Sequence, residues 1–541
     1  MFEFVRARAI ALILLALSAA CTAAGVGLRA SRNTKATGSI APPAPTTPAM
    51  PDASAAAPAP PNEIVVAERA PDRSRTRTIG TCDESARPEV ARVTIAHFND
   101  LQARYSDRVA GKSRYALLAG YLRQLKKDNP ETLVLDAGDD YEKGSIAELR
   151  SEGETTRQMI QALPIDVRTI GNHDFAYGAD AVLRDVRMSR HPVLAANVQH
   201  IGLSEDEQPF LPFVRVDVGC VKVGIVGLVT KNYGADDRPT SAPFDGVFAQ
   251  DDRYARVLER QVKAHGDEVD LLIALTHLGY ADDNALAMSP AARGVDFVIG
   301  GHSEQLFREP LLATRPDGTR TWVLQAGHYG ENVGRADLAL DLKDKKVKIE
   351  RYRVINVNAS LPSADDVDDL AKRLEDDAAK DAHEIIATTQ AEITAGASMV
   401  QLVARAAKET LHVDALVIGK DHFRRGLPKG AVTLQRMYEA VPVQKQPAGT
   451  EGFSSLWIVE MPGEELSVLR ARPGAASYAF NLFIPTSIDP NARYRVALDK
   501  RALMFPRLAF GKNTTFPTAT FGGELIDVLE SYARAHTDAF R

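Results

Sequence analysis

Six short, β-rich apolar runs punctuate residues 93–299, and five of them end in side chains that can bind metal ions. The runs are 93–98 (VTIAHF), 132–135 (TLVL), 167–170 (VRTI), 221–229 (VKVGIVGLV), 270–275 (DLLIAL) and 295–299 (VDFVI). Longer, more polar segments of helical character separate several of them, so the pattern predicts an α/β fold. In open α/β sheets the carboxyl ends of the strands form the binding crevice. Here those ends carry Asn99-Asp100-Leu101-Gln102, Asp136-Ala137-Gly138-Asp139, Gly171-Asn172-His173-Asp174, Thr276-His277 and Gly300-Gly301-His302-Ser303-Glu304. A lone His after a strand is usually a satisfied polar residue, and an Asp beside Gly usually caps a turn. Five such ends in chain order, drawn from Asp, Asn, His, Gln and Glu, are hard to produce by turn chemistry alone. The neighbouring glycines let backbone approach closely.

The blocks HFNDLQ, DAGDDYEKGS, GNHDFAYG, THLGY and GGHSE together resemble the calcineurin-like metallophosphoesterases, and among them the exported bacterial 5′-nucleotidases of two-domain type. They span about 90–340, and QAGHYGENVGRADL at 325–338 is similar to the strand pair that closes the catalytic domain of that family. The resemblance implies an α/β fold: a four-layer metallophosphoesterase-type β-sandwich flanked by helices, a connector helix, and a smaller α/β C-terminal domain. It also implies two divalent metal ions as cofactors, drawn from Mn, Zn, Mg and Ca. Asp100 and Gln102 would serve the first ion, Asp139 would bridge both, and Asn172, His277 and His302 would hold the second. Glu304 falls where the family places its last first-metal ligand. A pair of ions polarises phosphoryl oxygens and acidifies water. His173, the chain neighbour of Asn172, would instead face the substrate as the catalytic residue, stabilising the phosphoryl charge or protonating the leaving oxygen. Asp136 and Asp140 read as structural or as a pocket edge.

Three positions depart from that pattern. Gln102 stands where the family has His, and a neutral amide oxygen is a weaker ligand than imidazole for a borderline ion. Glu304 stands where His or Gln is usual and adds a carboxylate. The first site would then be all oxygen, which favours Mn²⁺, Mg²⁺ or Ca²⁺, while Zn²⁺ or Mn²⁺ suits the His-containing second site. Ala176 replaces an aspartate that pairs with the catalytic His, so slower leaving-group catalysis is expected unless another carboxylate substitutes.

The N-terminus reads as an address. Arg6 and Arg8 precede an apolar run from Ala9 to Leu17, then Ser18-Ala19-Ala20-Cys21, which is a signal-peptide pattern too short for an ordinary membrane span. The residues before Cys21 resemble a bacterial lipobox, with Ser18 where leucine is preferred; cleavage near Ala20 with soluble export is the alternative. Residues 36–62 hold 8 of the 30 prolines, among Ala, Thr and Ser, and cannot bury a core. They read as a tether. The expected organisation is therefore a signal peptide at 1–20, a tether at 21–88, a catalytic domain at 89–360, a connector helix at 361–387 and a substrate domain at 388–541. The expected location is the periplasm or the outer membrane, with a membrane anchor through the N-terminal lipid if Cys21 is acylated. Cys82 and Cys220 are left as either a disulfide or two thiols. With 65 basic and 71 acidic side chains, the chain has no basic surplus for a nucleic acid polymer. The partner expected is a small-molecule phosphate ester, and the chain is expected to be a monomer.

In the second half, Ser363 with Asp366 three residues on, ahead of Val367, Leu370, Leu374 and Ala378, predicts a capped amphipathic helix. A helix near 398–411, the apolar run 414–418, the turn GKDHFRRGL at 419–427 and a Thr433-capped helix resemble the opening of the nucleotidase C-terminal domain. That family delivers an arginine to the substrate from a Gly-Gly-x-Arg turn; here Arg424 carries over as the substrate-binding candidate, since Arg makes bidentate contacts with phosphate. A surface Arg beside Arg425 is the other reading. The family's late nucleoside-binding loop is absent, and Phe505 or Phe510 either stacks on a ring or belongs to the core. Hydrolysis of phosphate monoesters, with nucleotides as the default substrate, is the expected activity. A non-nucleotide phosphate ester and a degenerate binding lipoprotein are the alternatives.

Overall fold

A computed structural model describes residues 76–231, 247–444, 451–471, 480–510, 515–537 and 540. The signal peptide, Cys21 and most of the tether fall outside the described residues.

The apolar runs are short and nearly continuous because both of their faces are buried. Along Val90–Phe98, Val93 and Ile95 point to one side, while Ala96 and Phe98 point to the other. The same alternation splits Val223 and Ile225 from Val226 and Leu228, and Ile273 and Leu275 from Leu272 and Ala274. The odd-numbered set forms one core between two sheets, and the rest packs under helices on the outside.

The first sheet has six strands, in the order Lys346–Asn356, Asn332–Asp341, Val90–Phe98, Thr132–Asp136, Val167–Thr169 and Val193–Leu194. The second has seven, in the order Thr76–Ile79, Phe213–Val218, Val221–Val229, Leu271–His277, Phe297–Ile299, Arg320–Leu324 and Leu311–Thr314. Helices Arg114–Asp128, Glu154–Ala162 and Asp365–Ala378 cover the first sheet through Leu118, Leu122, Ile160, Val367, Ala371 and Leu374. Helices Tyr254–His265 and Tyr280–Met288 cover the second. The result is the expected four layers. All the strands that end in candidate ligands run in parallel pairs, such as Phe98 beside Asp136 and Ile273 beside Phe297, so each sheet delivers its loops to one edge. Cys82 and Cys220 form a disulfide that ties the segment after Thr76–Ile79 to the turn between Phe213–Val218 and Val221–Val229.

Two local readings change. The helix expected from the Ser363 cap starts at Asp365, Ala364 is its N-cap, and the Ser363 hydroxyl makes no cap bond. Tertiary packing decides this, because Ala364 N donates to Ala116 O at 2.9 Å and Pro362 lies so close to Gly120 that a Cβ there would stand 2.1 Å from its carbonyl oxygen. The block 325–338 supplies one strand of a closing pair, Asn332–Asp341, whose partner is Lys346–Asn356. Its first half forms a turn against the candidate site.

The C-terminal part builds a five-stranded sheet in the order Phe480–Phe483, Ala415–Gly419, Arg493–Asp499, Leu456–Pro462 and Thr520–Gly523. Helices Ala397–Leu411 and Leu525–Ala535 pack on it in one core, and Thr433 caps Leu434–Ala440 by accepting from Arg436 N. Phe510 is buried in a second core against Phe516, and Phe505 is half-buried. Ile146 and Ala147, from the first half of the chain, are buried in the C-terminal core, so the two parts share apolar packing.

Candidate metal centre

Three loops are bound to one another before any ligand is considered. Asp100 N donates to Gly138 O at 2.8 Å, and Gln102 N donates to Asp139 O at 2.9 Å. The Asp174 carboxylate accepts from Asp139 N at 3.0 Å, from Asp140 N at 3.2 Å and from Gly171 N. Asn99 reaches the fourth segment by accepting from Ala326 N at 2.9 Å, while its amide donates to Asp100 Oδ2 and to Gly327 O, each at 2.6 Å. Asp100, Gln102, Asp139, His302 and Glu304 all take left-handed backbone, with φ of 53°, 44°, 61°, 72° and 54°. Non-glycine residues seldom adopt this conformation, and such strain concentrates at functional sites. Gly171 and Gly301 are forced by proximity: a Cβ would stand 2.0 Å from Asp139 Oδ1 in the first case and 2.7 Å from His277 Nδ1 in the second.

The predicted ligands converge. His277 Nδ1 donates to Ala137 O at 2.6 Å, which fixes the proton on Nδ1 and turns Nε2 toward Asp139 Oδ2, 3.1 Å away. That pair lacks the angle of a hydrogen bond, and His277 Nε2 is buried without a partner. His302 N donates to Asp100 Oδ2 at 3.0 Å, and its Nδ1 lies 2.9 Å from Asn172 Oδ1. Gln102 Nε2 donates to Glu304 Oε1 at 3.1 Å, leaving Gln102 Oε1 buried and unpartnered, as Asp100 Oδ1 is. One donor atom from each of Asp139, His277 and His302 lies within 4.8 Å of the other two, a grouping that suits a metal ion.

The charges explain why this cluster calls for a cation. Burial raises the Asp100 carboxyl well above its ordinary value, and Asp139 and Glu304 add repulsion against the opposing pull of His277. Burial also works against charge on Asp139 and His277, yet the attraction between them prevails. With help from His173, Asp139 is held far down, and His277 is pushed up to about 10. Burial, then the His277 charge, lowers His302 to about 4. Buried oxygens without partners and repelling carboxylates are what divalent cations relieve, and a cation can take the place of the proton His277 otherwise holds beside Asp139, so the donor set fits them.

His173 lies beside this group. Its N–H donates to Asp139 Oδ1 at 2.8 Å. Ala176 is buried and offers no carboxylate, but Glu142 does: its Oε2 pairs with His173 Nδ1. The aspartate is missing as expected, and Glu142 is the carboxylate that stands at His173 in its place. Lys143 Nζ lies 2.7 Å from His173 Nε2. Burial, then the Arg424 charge, lowers Lys143 to about 8. Arg424 thus acts on this corner from the C-terminal part; its N–H donates to Ala440 O at 3.0 Å, and its Nε is buried without a partner. Asp136 and Asp140 lie behind the loops, where Asp140, Asp174 and Asp185 surround the buried Arg168. Sequence patterns missed Glu142, Lys143 and His328, whose Nδ1 is 3.4 Å from Glu304 Oε2. The first two lie within DAGDDYEKGS, and the one available signal was the missing carboxylate at Ala176.

Residues 93–305 match the calcineurin-like phosphoesterase family. The chain therefore carries a calcineurin-like phosphoesterase domain with the candidate centre at the carboxyl ends of its strands. Within that class it is similar to human 5′-nucleotidase, 28% identical over 304 residues, which cover 50% of each chain. It is 30% identical over 297 residues to 5′-nucleotidase of Diplobatis ommata, covering 50% of this chain and 49% of that one. The chain thus spans about half the length of the curated relatives it matches. The fold is similar to the 5′-nucleotidase precursor of Thermus thermophilus, with a TM-score of 0.66 and 18% identity, covering 83% of this chain and 97% of that one. This likeness extends the shared fold through the C-terminal part.

Proposed function

We propose that the protein is an exported, metal-dependent phosphoesterase that hydrolyses phosphate monoesters, with nucleotides as the leading substrate class. One observation carries this reading: Asp139, His277 and His302 converge next to His173 in a phosphoesterase domain. Asp100, Gln102, Asp139 and Glu304 would hold one ion, and Asp139, Asn172, His277 and His302 the other. When bound, such ions polarise phosphoryl oxygens and acidify water. His173 faces the phosphoryl group and passes its Nε2 proton to the leaving oxygen as the P–O bond breaks. Arg424 contacts the substrate from the C-terminal part. The oxygen-rich first site favours Mn²⁺, Mg²⁺ or Ca²⁺, and the second favours Zn²⁺ or Mn²⁺. The Cys82–Cys220 disulfide supports export, since such bonds persist in oxidising compartments. Among the described residues no helix is long and apolar enough to cross a membrane.

The test is to strip metal from the purified full chain, restore single ions, and assay phosphate release from nucleoside monophosphates, sugar phosphates and cyclic diesters. Activity that requires a divalent ion, is strongest on nucleoside monophosphates and is lost in His277→Ala supports the reading. Metal binding without turnover on any ester overturns it.

A further inference from the structure

We propose that Glu142 is a positioning residue that orients His173, taking the place of a carboxylate the chain lacks at Ala176. The inference rests on the phosphoesterase reading above. Glu142 is buried to 1% exposure, and its Oε2 pairs with His173 Nδ1. A carboxylate there accepts from Nδ1–H, so Nε2 is the nitrogen left to meet Lys143 and a substrate. The His173 side chain keeps 20% of its surface exposed, so this edge is open to a substrate. Lys143 Nζ, 2.7 Å from Nε2, places a cation on the same side.

The turn that brings Glu142 here is costly. Glu142 and Lys143 are consecutive non-glycine residues with φ of 73° and 71°. Left-handed backbone is disfavoured for a residue with a Cβ and persists only where the surroundings dictate it. Those surroundings are explicit. Glu142 N donates to Glu148 Oε1 at 2.7 Å. Gly144 is pressed so closely on the first loop that a Cβ would stand 2.2 Å from Gln102 O. Gln435 of the C-terminal part donates to Gly144 O at 2.8 Å and accepts from Ile146 N at 3.0 Å. Ile146 and Ala147 are then buried in the C-terminal core. A strained turn clamped from both parts of the chain aims one buried carboxylate at one imidazole.

The experiment compares the full-chain wild type with Glu142→Ala, with the similar-sized Glu142→Leu, with His173→Ala and with the double variants. With a bound ion present, loss of Glu142 should lower kcat about 30- to 100-fold on a nucleoside monophosphate, whose alkoxide leaves poorly. It should cost about 3-fold or less on 4-nitrophenyl phosphate and leave KM within about 2-fold. In the His173→Ala background, removing Glu142 should cost nothing further, because a residue that acts through another is not additive with it. Equal losses on both esters, or full additivity with His173→Ala, would overturn the proposal. A second readout does not depend on turnover. In ¹⁵N-histidine-labelled protein, the His173 Nδ1–H proton should resonate at low field, and this signal should vanish in Glu142→Leu. Its absence from the wild type, or its persistence in Glu142→Leu, would refute the pairing even if no ester is hydrolysed. A wild type that shows the signal but hydrolyses nothing refutes the phosphoesterase reading and leaves the positioning intact.

Discussion

One added methyl group, Gly171→Ala, probes the centre without removing a candidate ligand. Gly171 does not use left-handed backbone, so alanine brings little conformational strain of its own. Its Cβ, however, would stand 2.0 Å from Asp139 Oδ1 and 2.7 Å from Asp139 N. A carbon and an oxygen at ordinary contact stay about 3.3 Å apart, so the carboxylate must retreat by about 1.3 Å. The same oxygen accepts from His173 N at 2.8 Å, so the loop that carries His173 is disturbed with it. Overpacking of this kind costs about 1–3 kcal/mol of stability. A displacement near 1 Å costs about 100-fold in turnover. The assays are thermal unfolding, Mn²⁺ titration calorimetry and phosphate release. A folded protein with a modestly lower Tm, weaker Mn²⁺ binding and kcat reduced about 100-fold is expected. Gly266→Ala is the control, since its Cβ meets only Val262 at 3.6 Å. If Gly171→Ala binds Mn²⁺ and turns over like the wild type, Asp139 is not a shared ligand of the centre.

Three further outcomes follow from the same contacts. Burial lowers His97 to about 3 from 6.5, so between those values the unfolded chain holds a proton that the folded chain does not. Stability therefore falls as pH drops through that window. Chemical denaturation of His97→Gln against the wild type should show the share of that one group, about 1.4 kcal/mol per pH unit; an identical pH slope would show that His97 is not buried neutral. The paired change Cys82→Ser with Cys220→Ser opens a link between positions 138 apart and should cost about 3–5 kcal/mol in urea unfolding; no change would mean the bond is absent in the purified protein. Gln102→His replaces an amide oxygen with imidazole and should shift competition between Zn²⁺ and Mn²⁺ toward Zn²⁺ by about tenfold, read by metal analysis after dialysis against both ions; unchanged selectivity would place Gln102 outside the centre.

The layers and the cluster were legible because strands buried on both faces leave short apolar runs, and because candidate ligands at strand ends stay fixed to them. The runs 221–229 and 270–275 read directly as strands for that reason, and the structure pairs them in parallel. Glu142 was not legible. It lies on a turn with no glycine or proline at its left-handed positions, and the contacts that hold that turn include Glu148, the backbone of Gln102 and Gln435, the last 293 positions further along the chain. The Ser363 cap failed on similar grounds, because packing against Gly120 set the helix start. Arg424 was visible only through a resemblance. Its bearing on Lys143 depends on how the C-terminal part docks, which no local pattern encodes.

The central claim is that residues from five separate strand ends cage divalent ions. Crystals grown with Mn²⁺ and measured at its absorption edge test it most directly. Two anomalous peaks are expected, one bounded by Asp100, Gln102, Asp139 and Glu304 and the other by Asp139, Asn172, His277 and His302. A map with no peak within bonding distance of Asp139, from protein saturated with Mn²⁺ and Zn²⁺, would contradict the account.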